Sequence, residues 1–227
     1  VADIKKAAAS LSQELKNAIQ LAKLNIEAFH ASQKTEPIKI ESTTVVVCWQ
    51  EKRAIEKVGL YIPGGTAPLF STILMLAVPA AIAGCEEVVM CTPSDAAGDV
   101  HPAVLYTADL CGIKKIFKVG GIQAIAAMTF GTETIPQVYK IFGPGNQFVT
   151  VAKQMAMKFG VGIDLPAGPS ELLVYADDSA TASFMAADLL SQAEQRGGVV
   201  VQLLRQSQKS DDVTRRGLSL PALRQLL

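Results

Sequence analysis

The chain carries no surplus of either charge: 21 lysines and arginines stand against 21 aspartates and glutamates in 227 residues. Without a net field there is nothing to draw in nucleic acid or an anionic membrane surface, and neither is expected as a partner. Long apolar runs are also missing. The longest, near Leu69 to Ala83, is interrupted by Pro79 and is too short to cross a bilayer. The N-terminus lacks the charged and apolar blocks of a secretory signal, so the expectation is a soluble, cytoplasmic protein. Cysteines are few: Cys48, Cys85, Cys91 and Cys111 include no C-x-x-C pair, and they read as reduced thiols without a disulfide or a metal. Histidine is rarer still. His30, closing the first helical pattern, and His101, in "SDAAGDVHPA", read as helix-end and loop residues rather than catalysts. No stretch fits G-x-G-x-x-G, so a dinucleotide would have to bind without that fingerprint.

What is present is a globular pattern, with 49% hydrophobic and 19% charged residues. Ile4, Leu11, Leu15, Ile19, Ala22, Ile26 and Phe29 recur at three-to-four spacing, which predicts one long amphipathic N-terminal helix with Asp3 as its cap. Apolar and polar residues then alternate from Ile38 to Val47, and "VGLYIPGG" adds a β-rich run, so two or three strands follow. After Pro63 apolar helices alternate with the strands "EEVVMCTP", "KKIFKVGG", "YKIFGPGN" and "LLVYAD". Single helices between strands imply right-handed crossovers and a parallel sheet, an α/β doubly wound architecture.

In such sheets ligands bind beyond the carboxyl ends of the strands. Those ends read "YIPGG", "KVGGIQ", "FGPGN" and "AGPSE", where glycine lets the backbone approach a ligand and Tyr61, Gln123, Asn146 and Ser170 each add one polar side chain. Any one Gly-Pro cluster is also an ordinary turn; four at corresponding strand ends argue for a site. Further on, "DLLSQAEQRGG" places Gln192 and Gln195 three apart on one helix face, which without other information is a solvated face.

"GLYIPGGTAPLFSTILMLAVPAAIAGC", "VGGIQAIAAMTFGTETIPQVYKIFGPGNQFV" and "DLPAGPSELLV" closely resemble the histidinol dehydrogenase family, and the likeness runs from the N-terminal helix to Glu194. The resemblance implies a zinc-dependent homodimer of histidine biosynthesis that oxidises L-histidinol through L-histidinal to L-histidine in two NAD-dependent hydride transfers. It implies two intertwined, incomplete Rossmann-like units, with residues 1–58 packing with 170–195 and residues 59–169 carrying the cofactor contacts. Position by position it makes Tyr61, Gln123 and Asn146 NAD contacts, Ser170 and Gln192 substrate contacts, and Gln192 a zinc ligand. The family has histidine where this chain has Gln195, and a neutral amide oxygen is a poor zinc ligand beside an imidazole. Past that point the family supplies further zinc ligands and a Glu-His pair for proton transfer, which have no counterpart here, so no catalytic residue is assigned.

Residues 196–227 differ in composition. Arg53 is the sole arginine before residue 196, whereas Arg196, Arg205, Arg215, Arg216 and Arg224 follow; fourteen lysines precede and only Lys209 follows. The shift suggests a divergent tail, from an altered frame or a replaced C-terminus, in which "GGVVVQLLRQ" forms a strand and "SLPALRQLL" a helical turn. The expected function is therefore that of a shortened histidinol dehydrogenase chain with little or no activity alone. The alternatives are a non-catalytic NAD-binding or partner module, and a binding protein for some other small ligand.

Overall fold

A computed structural model describes residues 2–64, 68–166, 171–177, 179–193, 200–206 and 213–217. The N-terminal apolar stripe forms two helices instead of one, α1 (Ala2–Ser10) and α2 (Gln13–Ala31). The break is local chemistry. Ser12 takes an extended conformation (φ −63°, ψ 150°) and its hydroxyl accepts the Leu15 N–H at 3.2 Å, an N-cap that starts a new helix inside an unbroken apolar pattern. Asp3, expected to be the cap, lies within α1. α1 packs on α4 (Pro102–Leu110) and α2 on α3 (Phe70–Ala83).

The alternating segment becomes an antiparallel hairpin of β1 (Ile38–Thr43) and β2 (Val46–Gln50), both strands exposed along their length. β3 (Lys57–Tyr61), β4 (Glu87–Thr92), β5 (Lys115–Lys118), β6 (Lys140–Phe142) and the short β7 (Gly162–Ile163) make one parallel sheet in the order β5-β4-β3-β6-β7. The chain moves outward from β3 to β5. Helix α5 (Gly121–Phe130) then carries it back to β6 on the other side of β3, and α6 (Gln147–Ala156) leads on to β7. Strand order thus reverses between β3 and β6, which opens a crevice at their carboxyl ends. Each sheet face has its own core. Leu60, Ile73, Ala77, Met90 and Val104 pack on the face covered by α3 and α4, and Tyr61, Val89, Ala124, Met128 and Val149 on the face covered by α5 and α6. This is the expected doubly wound arrangement.

The chain divides into two compact units, Val1–Ala167 and Gly168–Leu227. In the second, β8 (Glu171–Ala176), α7 (Ala182–Ala193) and β9 (Val200–Gln206) form a parallel β-α-β unit, and β10 (Val213–Gly217) adds antiparallel to β9. The strand expected in "GGVVVQLLRQ" is β9; the expected turn in "SLPALRQLL" lies outside the described residues.

All four cysteines are free. Burial pushes the Cys91 thiol up to about 12 and the Cys111 thiol up to about 11, and it raises Cys85 as well. A raised value keeps the thiol protonated, and the reactive thiolate of Cys91 accumulates only as the pH approaches that figure. At pH 8 a thiol reagent should therefore modify the exposed Cys48 of the native chain and leave Cys91 untouched until denaturant is added. Mass mapping of the labelled sites checks this, and native Cys91 labelling at the Cys48 rate would contradict it.

Candidate functional site

Three of the sequence-identified residues meet the carboxyl edge of the five-stranded sheet, and each is placed by backbone chemistry. Tyr61 ends β3. Its ring is buried, 4% exposed, and its hydroxyl accepts the backbone N–H of Gly121 at 3.0 Å, joining the end of β3 to the start of α5. Gly121 opens α5 with φ 65°, a conformation that favours glycine. Gln123 follows in the first turn of α5 with its side chain exposed. Asn146 is the N-cap of α6: its Oδ1 accepts the N–H groups of Phe148 and Val149, each at 3.1 Å, which leaves its amide hydrogens for a ligand.

The turn before Asn146 is held by both steric and polar constraints. Gly143 has φ 132°, and a Cβ there would lie 2.0 Å from the Tyr61 carbonyl oxygen. Both of its peptide groups are held by an ion pair that the sequence pattern did not single out. Asp164 Oδ2 accepts the Gly143 N–H at 2.7 Å, Lys153 Nζ donates to the Gly143 carbonyl at 2.7 Å, and Lys153 and Asp164 pair with each other. Lys153 is 2% exposed, an unusual place for a lysine. One signal was available: Lys153 falls seven residues after Asn146 on α6, two turns along the same face, and so points back to the turn.

Gln192 lies in the last turn of α7, in the second unit. Ser170 and Gln195 fall outside the described residues. His30 sits in the last turn of α2, as the sequence suggested, and meets Gln33 Oε1 at 2.8 Å; His101, read as a loop residue near a helix start, caps α4, with Nδ1 accepting the Ala103 N–H at 3.2 Å. A wide groove between the β1–β2 hairpin and α3, lined by Val47, Trp49, Met75, Pro79 and Ile82 among others, includes none of Tyr61, Gln123 or Asn146.

The donor set at the sheet edge suits a dinucleotide: two exposed carboxamides and glycine turns beside a crevice where strand order reverses. The described residues do not suit zinc in the same way, because among them no three His, Cys, Asp or Glu side chains gather closely enough to hold a metal ion.

Comparison with known proteins is consistent along the chain. The histidinol dehydrogenase family model matches residues 1–219, so the match continues past Glu194, where the resemblance was expected to end. A histidinol dehydrogenase of Bacteroides thetaiotaomicron is 58% identical over 224 residues, covering 96% of this chain and 52% of that protein. One from Bacteroides fragilis is 64% identical over 193 residues, covering 85% and 45%. The crystal structure of histidinol dehydrogenase from Elizabethkingia anophelis superposes with a TM-score of 0.87 at 61% identity, covering 90% of this chain and 47% of that one. The chain spans about half the length of these relatives.

Gly143→Ala should destabilise the chain by about 3 kcal/mol, because its methyl group meets fixed backbone and its φ is unfavourable for alanine. Urea unfolding followed by circular dichroism measures it; a change under 1 kcal/mol, on the scale of an ordinary surface substitution, would show that the turn yields easily.

Proposed function

The chain belongs to the histidinol dehydrogenase family, and we propose that it supplies the nicotinamide-binding part of that enzyme's site, completed by the rest of a family chain. The activity is then oxidation of L-histidinol through L-histidinal to L-histidine, a step of histidine biosynthesis, in a cytoplasmic homodimer that engages neither nucleic acid nor membrane. The observation that carries the reading is the family match over residues 1–219, within which the three candidate cofactor residues fall at the sheet edge. NAD, when bound, accepts the hydride. Gln123 and Asn146 would orient it through their carboxamides, and Tyr61 would fix the crevice floor by tying β3 to α5. Ser170 and Gln192 would meet the substrate.

Proton transfer needs a group near the alcohol and again when water adds to the aldehyde. His101 spends its Nδ1 on capping α4, and His30 sits at the end of α2, so in this reading the proton carriers come from the family's C-terminal half. Zinc enters only through the family, with Gln192 as its ligand and Gln195 where the family has histidine. The capping role of His101 also favours the second reading, a non-catalytic NAD-binding or partner module.

Histidinol-dependent NADH formation separates the two. The chain alone should show none, whereas a version with histidine at 195 and a family C-terminal half attached should turn over. Turnover by the chain alone would mean that another residue serves as base; no turnover by the extended version would sink the enzyme reading. Gln123→Ala should weaken NAD binding in a calorimetric titration by about 1 kcal/mol, on the scale of one lost hydrogen bond, with no change in melting temperature, since its side chain is exposed. Unchanged affinity would remove Gln123 from the site.

A further inference from the structure

We propose that Lys153 and Asp164 are positioning residues for the dinucleotide site: together they hold the Gly143–Asn146 turn in the one conformation that presents Asn146 to the cofactor. The inference rests on the reading of Asn146 as a cofactor contact.

Three observations carry it. The first is that the pair grips one residue by both of its peptide groups. Asp164 takes the Gly143 N–H, Lys153 donates to the Gly143 carbonyl, and the two side chains are bound to each other, so the peptide planes on both sides of Gly143 cannot rotate without breaking a charge-assisted hydrogen bond, one of them to a buried ammonium. The second is that the held conformation needs holding. Gly143 sits at φ 132°, its backbone wedged against the Tyr61 carbonyl, in a region that a freely moving glycine would leave for many others. The third is geometric economy. Lys153 belongs to the helix that Asn146 caps, and Asp164 follows β7, the neighbour of β6, so the clamp ties the turn at once to α6 and to the sheet.

Stability alone is a poor reason for such a pair. Desolvating the ammonium of a lysine that is 2% exposed costs about as much as the pairing returns, and apolar replacements of similar volume are often as stable. What the apolar pair cannot do is accept from one side of Gly143 and donate to the other. Asn146 lies three residues on, with its Oδ1 committed to the Phe148 and Val149 amides, so its position follows the turn.

The test uses the whole chain and two variants, the double substitution Lys153→Met with Asp164→Leu, and Asp164→Asn, which keeps an acceptor for Gly143 while losing the charge. NAD affinity is measured by titration, stability by thermal melting, and the Gly143 turn by amide hydrogen exchange. The expected result is a split: the double variant melts near the parent, exchanges the Gly143 amide faster, and binds NAD roughly tenfold to a hundredfold more weakly, the loss seen when a reacting group is misplaced by about an ångström. Asp164→Asn should bind NAD with an affinity between the two but melt lower than either, because it leaves the Lys153 ammonium without its counter-charge; measured below its own melting temperature, it decides the matter if the double variant does not fold. Parent-like affinity in the folded variants overturns the clamp. Failure of the parent chain itself to bind NAD overturns the cofactor reading and the clamp with it, and is told apart by appearing before any substitution is made.

Discussion

The first unit depends on β3 being buried on both faces and paired on both edges. Val58 and Leu60 are each 1% exposed, and Tyr61 is 4% exposed on the opposite face, so only Lys57, at the start of the strand, reaches solvent. Gly59 shows how close the packing is: a Cβ there would lie 2.6 Å from Met128 Sδ on α5 and 3.1 Å from Val138. Only a residue without a side chain lets α5 lie down on the strand. Because β4 and β6 flank β3 in parallel and their crossover helices leave to opposite faces, the carboxyl end of β3 is where the sheet parts. The site is a consequence of that topology before any side chain is considered.

The second constraint is electrostatic. A lysine and an aspartate taken from water into this crevice contribute little net stability, yet removing one of them would strand the other's charge. Such an arrangement locks geometry rather than raising stability, and what it locks is the peptide geometry of Gly143, one residue past β6. The same edge is tied a second time by the Tyr61 hydroxyl, which takes the Gly121 N–H, an amide with no carbonyl of its own helix to bond. Two of the glycine turns seen in the sequence are therefore anchored by neutral and charged side chains respectively, which leaves Gln123 and Asn146 as exposed groups on a fixed frame.

How much of this was legible follows from the range of the signals. Strand–helix alternation is a local signal repeated along the chain, so the parallel sheet and its strand-end residues could be read directly. The break at Ser12 was hidden because helical periodicity runs straight through it from Leu11 to Leu15, and only the serine's capping capacity marks the boundary. β7 is two residues long and has no pattern to show. The Lys153–Asp164 pair was missed for another reason. A lysine on an amphipathic helix is ordinarily solvated, and nothing in sequence relates it to an aspartate eleven residues away in a Gly- and Pro-rich loop; the partnership exists only because α6 and β7 bring them to one end of the sheet.

The chemistry divides along the same lines. Holding a nicotinamide requires shape and a few fixed polar groups, which a rigid sheet edge provides and which tolerates many sequences around it. Holding a metal and moving protons requires particular donor atoms. A helix brings residues three apart to one face, but carboxamides in such positions offer only neutral oxygens where an imidazole would offer a strong nitrogen ligand. A change of donor atom at fixed helical spacing leaves a fold as it is and alters metal affinity. Identity of 58% and 64% with two relatives therefore testifies to a shared frame, over a chain that spans about half of each.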